Sequence, residues 1–123
     1  MPEASEIQAF LRDTFRSVWA LELLLHLERS PERSHTPDDL VHGLRASQGI
    51  VDQGLASLFA AGLIVVETDG SARYAPANPR FADLVAGARA MYASHPGAVR
   101  RIIVSAAASG ATAFADAFRL RRD

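Results

Sequence analysis

The histidines and one pair of acids are the side chains of this sequence that could take part in catalysis or bind a metal. The histidines show neither the H-x₃-H nor the H-E-x-x-H spacing of zinc sites, and no cysteine accompanies them: they are His26, His35, His42 and His95. Asp38 and Asp39 follow Thr36-Pro37, so they fit the first turn of a helix better than an acid–base couple. No glycine-rich phosphate loop follows a strand, and no Ser-His-Asp order has supporting context. We therefore expect no enzyme activity, no metal site and no cofactor.

Length, charge and composition restrict the class of protein. The 123 residues fit a single domain, 1–123, and the net charge of −1 gives no whole-molecule attraction toward nucleic acid. The N-terminal MPEASEIQAF lacks the basic and apolar regions of a signal peptide. The apolar runs at 21–27 and 102–114 are shorter than the ~20 residues that a membrane span needs. With no cysteine in the chain, these features predict a soluble, cytoplasmic protein without membrane contact.

The N-terminal segment, 1–29, has the apolar spacing of one long helix. Ser5 and Gln8 fit a capping box at its start, and helical spacing then continues from Ile7 to about Glu28. Trp19 and its leucine neighbours widen the apolar surface in the second half. A helix that is apolar on more than one side is usually covered by its own domain and by something further, such as a second subunit.

The segment Thr36–Pro76 reads as helix, turn, helix and two-stranded hairpin. Thr36 is a good N-cap for the first helix, and Ser47 caps the second, 47–61. Gly62 is a C-terminal stop, and Asp69-Gly70 is a hairpin-turn signal between two β-branched or apolar strands. The segment therefore predicts two helices followed by a hairpin.

The C-terminal segment, 78–123, predicts further helices. Asn78 caps the first of them, and a Ser-His-Pro-Gly run at 94–97 separates it from the next. Phe114 and Phe118 are four residues apart, with arginines close behind them, so a helix there would place both rings on one side. Such a helix could close its own domain or its dimer, or it could dock a partner protein.

The spacing Leu55-x-x-Leu58-x-x-x-Gly62-Leu63-Ile64, followed by a turn and Tyr74, resembles winged-helix bacterial transcriptional regulators of the MarR, ArsR and PadR type. The resemblance covers 18–76, and the added terminal helices are like those such regulators use to dimerise. It implies a mainly α fold with a small β-hairpin wing: a winged helix-turn-helix plus a long N-terminal helix and C-terminal helices. It also implies a homodimer joined through the terminal helices.

By this resemblance, helix 47–61 is the recognition helix in the major groove of double-stranded DNA, and the wing, 67–73, lies alongside. Glutamine can pair with adenine in the major groove, serine can donate to phosphate, and arginine suits phosphate or the minor groove. The resemblance therefore implies a DNA-binding transcriptional regulator with these contact residues: Arg45, Ser47, Gln48, Gln53, Ser57 and Arg73.

The charge of the same segment favours an alternative function. Thr36–Pro76 holds two arginines against five acids, a net charge of −3, whereas DNA affinity comes mostly from neutralised phosphates. Arginines of the first helix and the loop after it could add phosphate contacts: Arg12, Arg16, Arg29 and Arg33. The alternative is a winged helix that binds protein, as an adapter to another regulator or to the transcription machinery, with little DNA affinity. A ligand-binding or scaffold role is a third hypothesis.

Overall fold

The computed structural model describes residues 2–108, most of which lie in helices. The elements follow the chain as α1 (Ala4–Thr14), α2 (Val18–Glu28), α3 (Pro37–Leu44), α4 (Gln48–Ala60), β1 (Ile64–Val66), β2 (Ala72–Tyr74), α5 (Pro79–Ser94) and α6, which begins at residue 96 and continues to residue 108. The expected mainly helical chain with a small two-stranded hairpin is confirmed. The partner-docking prediction for Phe114 and Phe118 lies outside the described residues.

The prediction of one N-terminal helix over 1–29 is wrong, because two helices occupy this segment. The chain is extended at Phe15 (φ −100°, ψ 123°), whose side chain is buried, and Ser17 starts α2 by accepting a hydrogen bond from the Ala20 amide at 3.2 Å. Apolar residues continue at helical intervals across the break, so periodicity alone does not reveal it. The first helix also begins one residue before Ser5, so the expected capping box does not start it.

The starts of α3, α4 and α5 agree with the sequence, because each rests on a local side-chain cap. Thr36 accepts from the Asp39 amide at 3.1 Å, Ser47 from the Ile50 amide at 3.2 Å, and Asn78 from the Phe81 amide at 2.9 Å. These bonds satisfy amides that have no partner within the helix. Gly62 follows α4 with a φ of +78°, which glycine adopts without steric cost.

The hairpin is joined to a third short segment of chain. Its strands are antiparallel, with Ile64 opposite Tyr74 and Val66 opposite Ala72. On the other side of β2, His35 and Ala72 exchange two backbone hydrogen bonds, each 2.8 Å long. The connection between α2 and α3 is therefore fastened to the hairpin, a contact that the sequence did not predict.

The core lies around α2, which packs against α3, α4 and β2, while α1 packs against α5. Two helical glycines allow close approach. A Cβ added at Gly54 of α4 would lie 2.7 Å from Leu23 Cδ2, and one added at Gly87 of α5 would lie 2.5 Å from Ile7 Cδ1. No helix within residues 2–108 is long and apolar enough to cross a membrane.

Candidate nucleic-acid interface

The turn between α3 and α4 is made by Arg45, which has a φ of +54°. Few non-glycine residues adopt this left-handed conformation, which here ends α3 sharply before the extended Ser47 starts α4. The Arg45 side chain is exposed, and within residues 2–108 it forms no ion pair. Its guanidinium is therefore available to an anion at the start of α4.

The polar side chains at the start of α4 are already engaged within the helix. The Ser47 hydroxyl oxygen accepts from the Ile50 amide, although its own hydrogen remains free to donate. The Gln48 Nε2 donates to the Asp52 Oδ1 at 3.0 Å, one turn further on. An incoming base edge would therefore meet a glutamine amide that is held beside a carboxylate.

The outward face of α4 has one charged residue, the exposed Asp52, and no cation. Its buried side faces the core through Val51, Gly54, Leu55 and Leu58. The exposed residues in the middle and at the end of the helix include Gln53, Ala56 and Ala60, and the Phe59 side chain is 57% exposed. This face can approach another surface closely, but it carries no positive charge with which to bind phosphate.

Gln53 and Ser57 share a groove with residues from the start of α2. The groove has a volume of about 560 Å³, and Arg16, Trp19 and Ile50 also line it. Trp19 is 41% exposed although most of α2 is buried. The sequence predicts a wide apolar helix surface that includes Trp19. The position of Trp19 beside α4 depends on how α2 and α4 pack, which no local sequence pattern predicts.

The hairpin presents more acid than base. Arg73, opposite Val65, is half-buried, and within residues 2–108 it has no ion-pair partner. Glu67 accepts a hydrogen bond from the Ser34 hydroxyl at 2.9 Å. The Ser71 backbone amide donates to the Asp69 carboxylate at 2.9 Å, and this hydrogen bonding lowers the pKa of Asp69. The tip of the hairpin is therefore negatively charged at neutral pH, with Arg73 behind it.

Polar side-chain contacts fasten α5 to α2. The Tyr92 hydroxyl donates to Glu22, and Arg89 forms an ion pair with Glu28. Tyr74, at the end of β2, lies near that ion pair. Burial, and secondarily the Glu28 charge, raise the pKa of Tyr74 to about 12. These contacts stabilise the packing of α5 against α2.

His35 is a buried polar residue whose ring lies against that of His26. It is 5% exposed, its ring centroid lies 5.5 Å from that of His26, and its Nε2 has no hydrogen-bond partner within residues 2–108. Burial, followed by the charges of Arg33 and His26, lowers the pKa of His35. No group of three histidine, aspartate or glutamate side chains in the described part of the chain is arranged to hold a metal ion.

The six residues expected to contact DNA therefore form separate groups. Gln53 and Ser57 lie together in the groove with Trp19, and Gln48 is bonded to Asp52. Arg45 and Ser47 lie at the turn before α4, and Arg73 lies on the hairpin. No protein-family model, curated protein or solved structure matches this chain.

Proposed function

We propose that this protein is a winged helix-turn-helix transcriptional regulator that binds double-stranded DNA, with α4 in the major groove and the hairpin alongside. The observation that carries the proposal is the connection of elements: α2, the His35 segment paired with β2, then α3, a sharp turn, α4 and the hairpin. Such an arrangement is typical of winged helices. It supports the proposal that α4 is the recognition helix and that the hairpin, packed on the same core, is the wing.

The side chains around α4 include candidates for base contacts and candidates for phosphate contacts. Gln48 and Gln53 are the candidates for base contacts, since glutamine can bond adenine through both its oxygen and its nitrogen. Arg45 and Arg73 are the candidates for phosphate contacts, and Arg16 adds a third cation next to Gln53. With so few cations, binding is expected to be modest and sensitive to salt. A homodimer, which we also propose, would double the number of phosphate contacts.

Binding of duplex DNA at several salt concentrations tests the proposal. The duplexes are genomic fragments, including the protein's own promoter, and one of random sequence, with binding followed by fluorescence anisotropy. Arg73→Ala should weaken binding to every duplex, whereas Gln48→Ala and Gln53→Ala should change the preference among them. Gln8→Ala, at an exposed position of α1, is the matched control and should change neither. If all three interface variants bind as the unaltered protein does, this docking of α4 is wrong.

The second candidate function is a winged helix that binds protein in place of DNA. It is favoured by the outward face of α4, which carries no positive charge, and by the exposed side chains of Phe59 and Trp19. The same salt series separates the two functions. A DNA-binding protein loses affinity steeply as salt rises, whereas a protein-binding module shows little DNA affinity at any salt.

A further inference from the structure

The groove between the start of α2 and the middle of α4, here called the Trp19 groove, combines an apolar floor with one cation. It is lined by Arg16, Trp19, Ile50, Gln53, Ala56 and Ser57, among others. The exposed indole of Trp19 is a large apolar surface that water now covers in part. Burying such a ring is strongly favourable, and tryptophan and arginine are enriched among residues that dominate binding energy.

The charge of the groove selects the chemistry of its occupant. Among residues 2–108, Arg16 is the only charged residue that lines the groove, and it forms no ion pair within that range. An apolar occupant that carries a carboxylate would cover Trp19 and pair with Arg16 at once. A DNA duplex matches the groove less well. Its phosphates could pair with Arg16, but its charged backbone would offer no apolar surface to Trp19 and Ile50.

The walls of the groove decide the form of the occupant. The walls belong to two helices and no strand of the described chain lines the groove, so it has no strand edge to which an extended peptide could add. The partner must therefore satisfy its own backbone and present side chains only. Gly54 and Ala56 have little or no side chain, so a partner can approach the backbone of α4 closely.

We propose that the Trp19 groove binds an acidic amphipathic helix of another protein, with an apolar side chain against Trp19 and a carboxylate on Arg16. Gln53 and Ser57 line the groove and are also proposed DNA contacts, so a bound helix would exclude DNA from α4. The competition with DNA rests on the proposed function. The binding of the helix does not.

Selection from a displayed library of helical peptides tests the binding. The library is randomised in apolar and charged positions and is selected against the full chain, and selected peptides are then measured by anisotropy. They should carry acidic residues beside an apolar stripe. Their affinity should fall roughly tenfold or more in Trp19→Ala and severalfold in Arg16→Glu. Because Trp19 is the only tryptophan, its fluorescence should also change on binding.

Control variants show whether a loss of peptide binding comes from the groove or from unfolding of the chain. Ala56→Gln leaves Trp19 and the charge of the groove in place but narrows the groove, and it should also weaken binding strongly. Arg101→Glu reverses an exposed charge on α6, outside the groove, so it should not change peptide binding. Selected peptides that are basic, that bind Trp19→Ala normally, or that leave the Trp19 fluorescence unchanged would overturn the proposal.

A competition experiment separates this inference from the proposed function. A selected peptide should displace a bound DNA duplex from the unaltered protein and fail to displace it from Ala56→Gln. If peptides bind and no duplex does, the groove proposal stands and the DNA function fails. If Trp19→Ala loses DNA and no acidic peptide is selected, the groove belongs to DNA and the peptide proposal fails.

Discussion

The side-chain amide of Gln48 donates a hydrogen bond to the carboxylate of Asp52, one turn further along α4, at 3.0 Å. Both side chains are exposed at the start of the helix that we propose to read DNA. The contact acts against DNA binding in two ways. It occupies part of the amide that would bond a base, and it places a negative charge where phosphates would approach.

Removing Asp52 should therefore increase DNA affinity. Asp52→Asn removes the charge, and Asp52→Ala removes the charge and also releases Gln48. Each should raise affinity roughly two- to fivefold at low salt, about the effect of one exposed charge pair, and less at high salt. Anisotropy titrations measure this, with Asp83→Asn, an exposed acid of α5, as the control. An equal gain from Asp83→Asn would show that net charge, and not the position of Asp52, limits binding.

How much could be predicted from the sequence depends on how local each feature is. The starts of α3, α4 and α5 follow from the caps at Thr36, Ser47 and Asn78, each of which bonds an amide three residues on. The break at Phe15 was missed because apolar spacing continues through it. The same limit applies to the Trp19 groove and to the His35–Ala72 pairing. Each joins parts of the chain that are far apart in sequence and leaves no periodic signal.

The two ion pairs that fasten α5 should differ in their contribution to stability. Arg89 pairs with Glu28, whose side chain is 10% exposed, whereas Arg80 pairs with Glu6, whose side chain is 40% exposed. Arg89→Ala leaves a nearly buried carboxylate without its cation and should cost about 1–2 kcal/mol of unfolding free energy. Arg80→Ala should cost about 0–1 kcal/mol, since water screens that pair. Urea unfolding compares them, and equal losses would contradict the role of burial.

The buried His35 should make the fold less stable in mild acid. Burial, Arg33 and His26 lower its pKa from the ordinary 6.5, against a smaller opposite effect of Asp39. As the pH falls below about 6.5, the unfolded chain takes up the proton before the folded chain does, so unfolding becomes more favourable. Above that pH, the stability that neutral His35 contributes is fully present. It is lost progressively as the pH falls toward the lower pKa that His35 has in the folded chain.

Unfolding in urea at pH 7.5, 6.5 and 5.5 measures this loss of stability. His35→Gln should weaken the pH dependence over this range, whatever its effect on stability at pH 7.5, because glutamine does not titrate. His95→Gln, at an exposed position between α5 and α6, should change the dependence less. A pH dependence that is the same in His35→Gln as in the unaltered protein would show that other groups cause it.

Two glycines of α4 should respond in opposite directions to replacement by alanine. At Gly49 an added methyl group meets nothing within 4 Å, so the helix should gain about 0.5–1 kcal/mol of stability. At Gly54 the methyl carbon would lie 2.7 Å from Cδ2 of Leu23, a buried side chain with little room to move. Overpacking of this kind costs about 1–3 kcal/mol, which offsets or exceeds the same helical gain. Thermal or urea unfolding should therefore rank Gly49→Ala above the unaltered protein and Gly54→Ala below it.

The Leu23 contact can be tested in a double variant. Leu23→Ala alone should lose stability by leaving a cavity, and combining it with Gly54→Ala should recover part of that loss, because the new methyl group occupies some of the space. Full additivity of the two losses would mean that Gly54 is not required by its contact with Leu23. Non-additivity would show that this glycine sets the distance between α2 and α4, and so the width of the Trp19 groove that the two helices enclose.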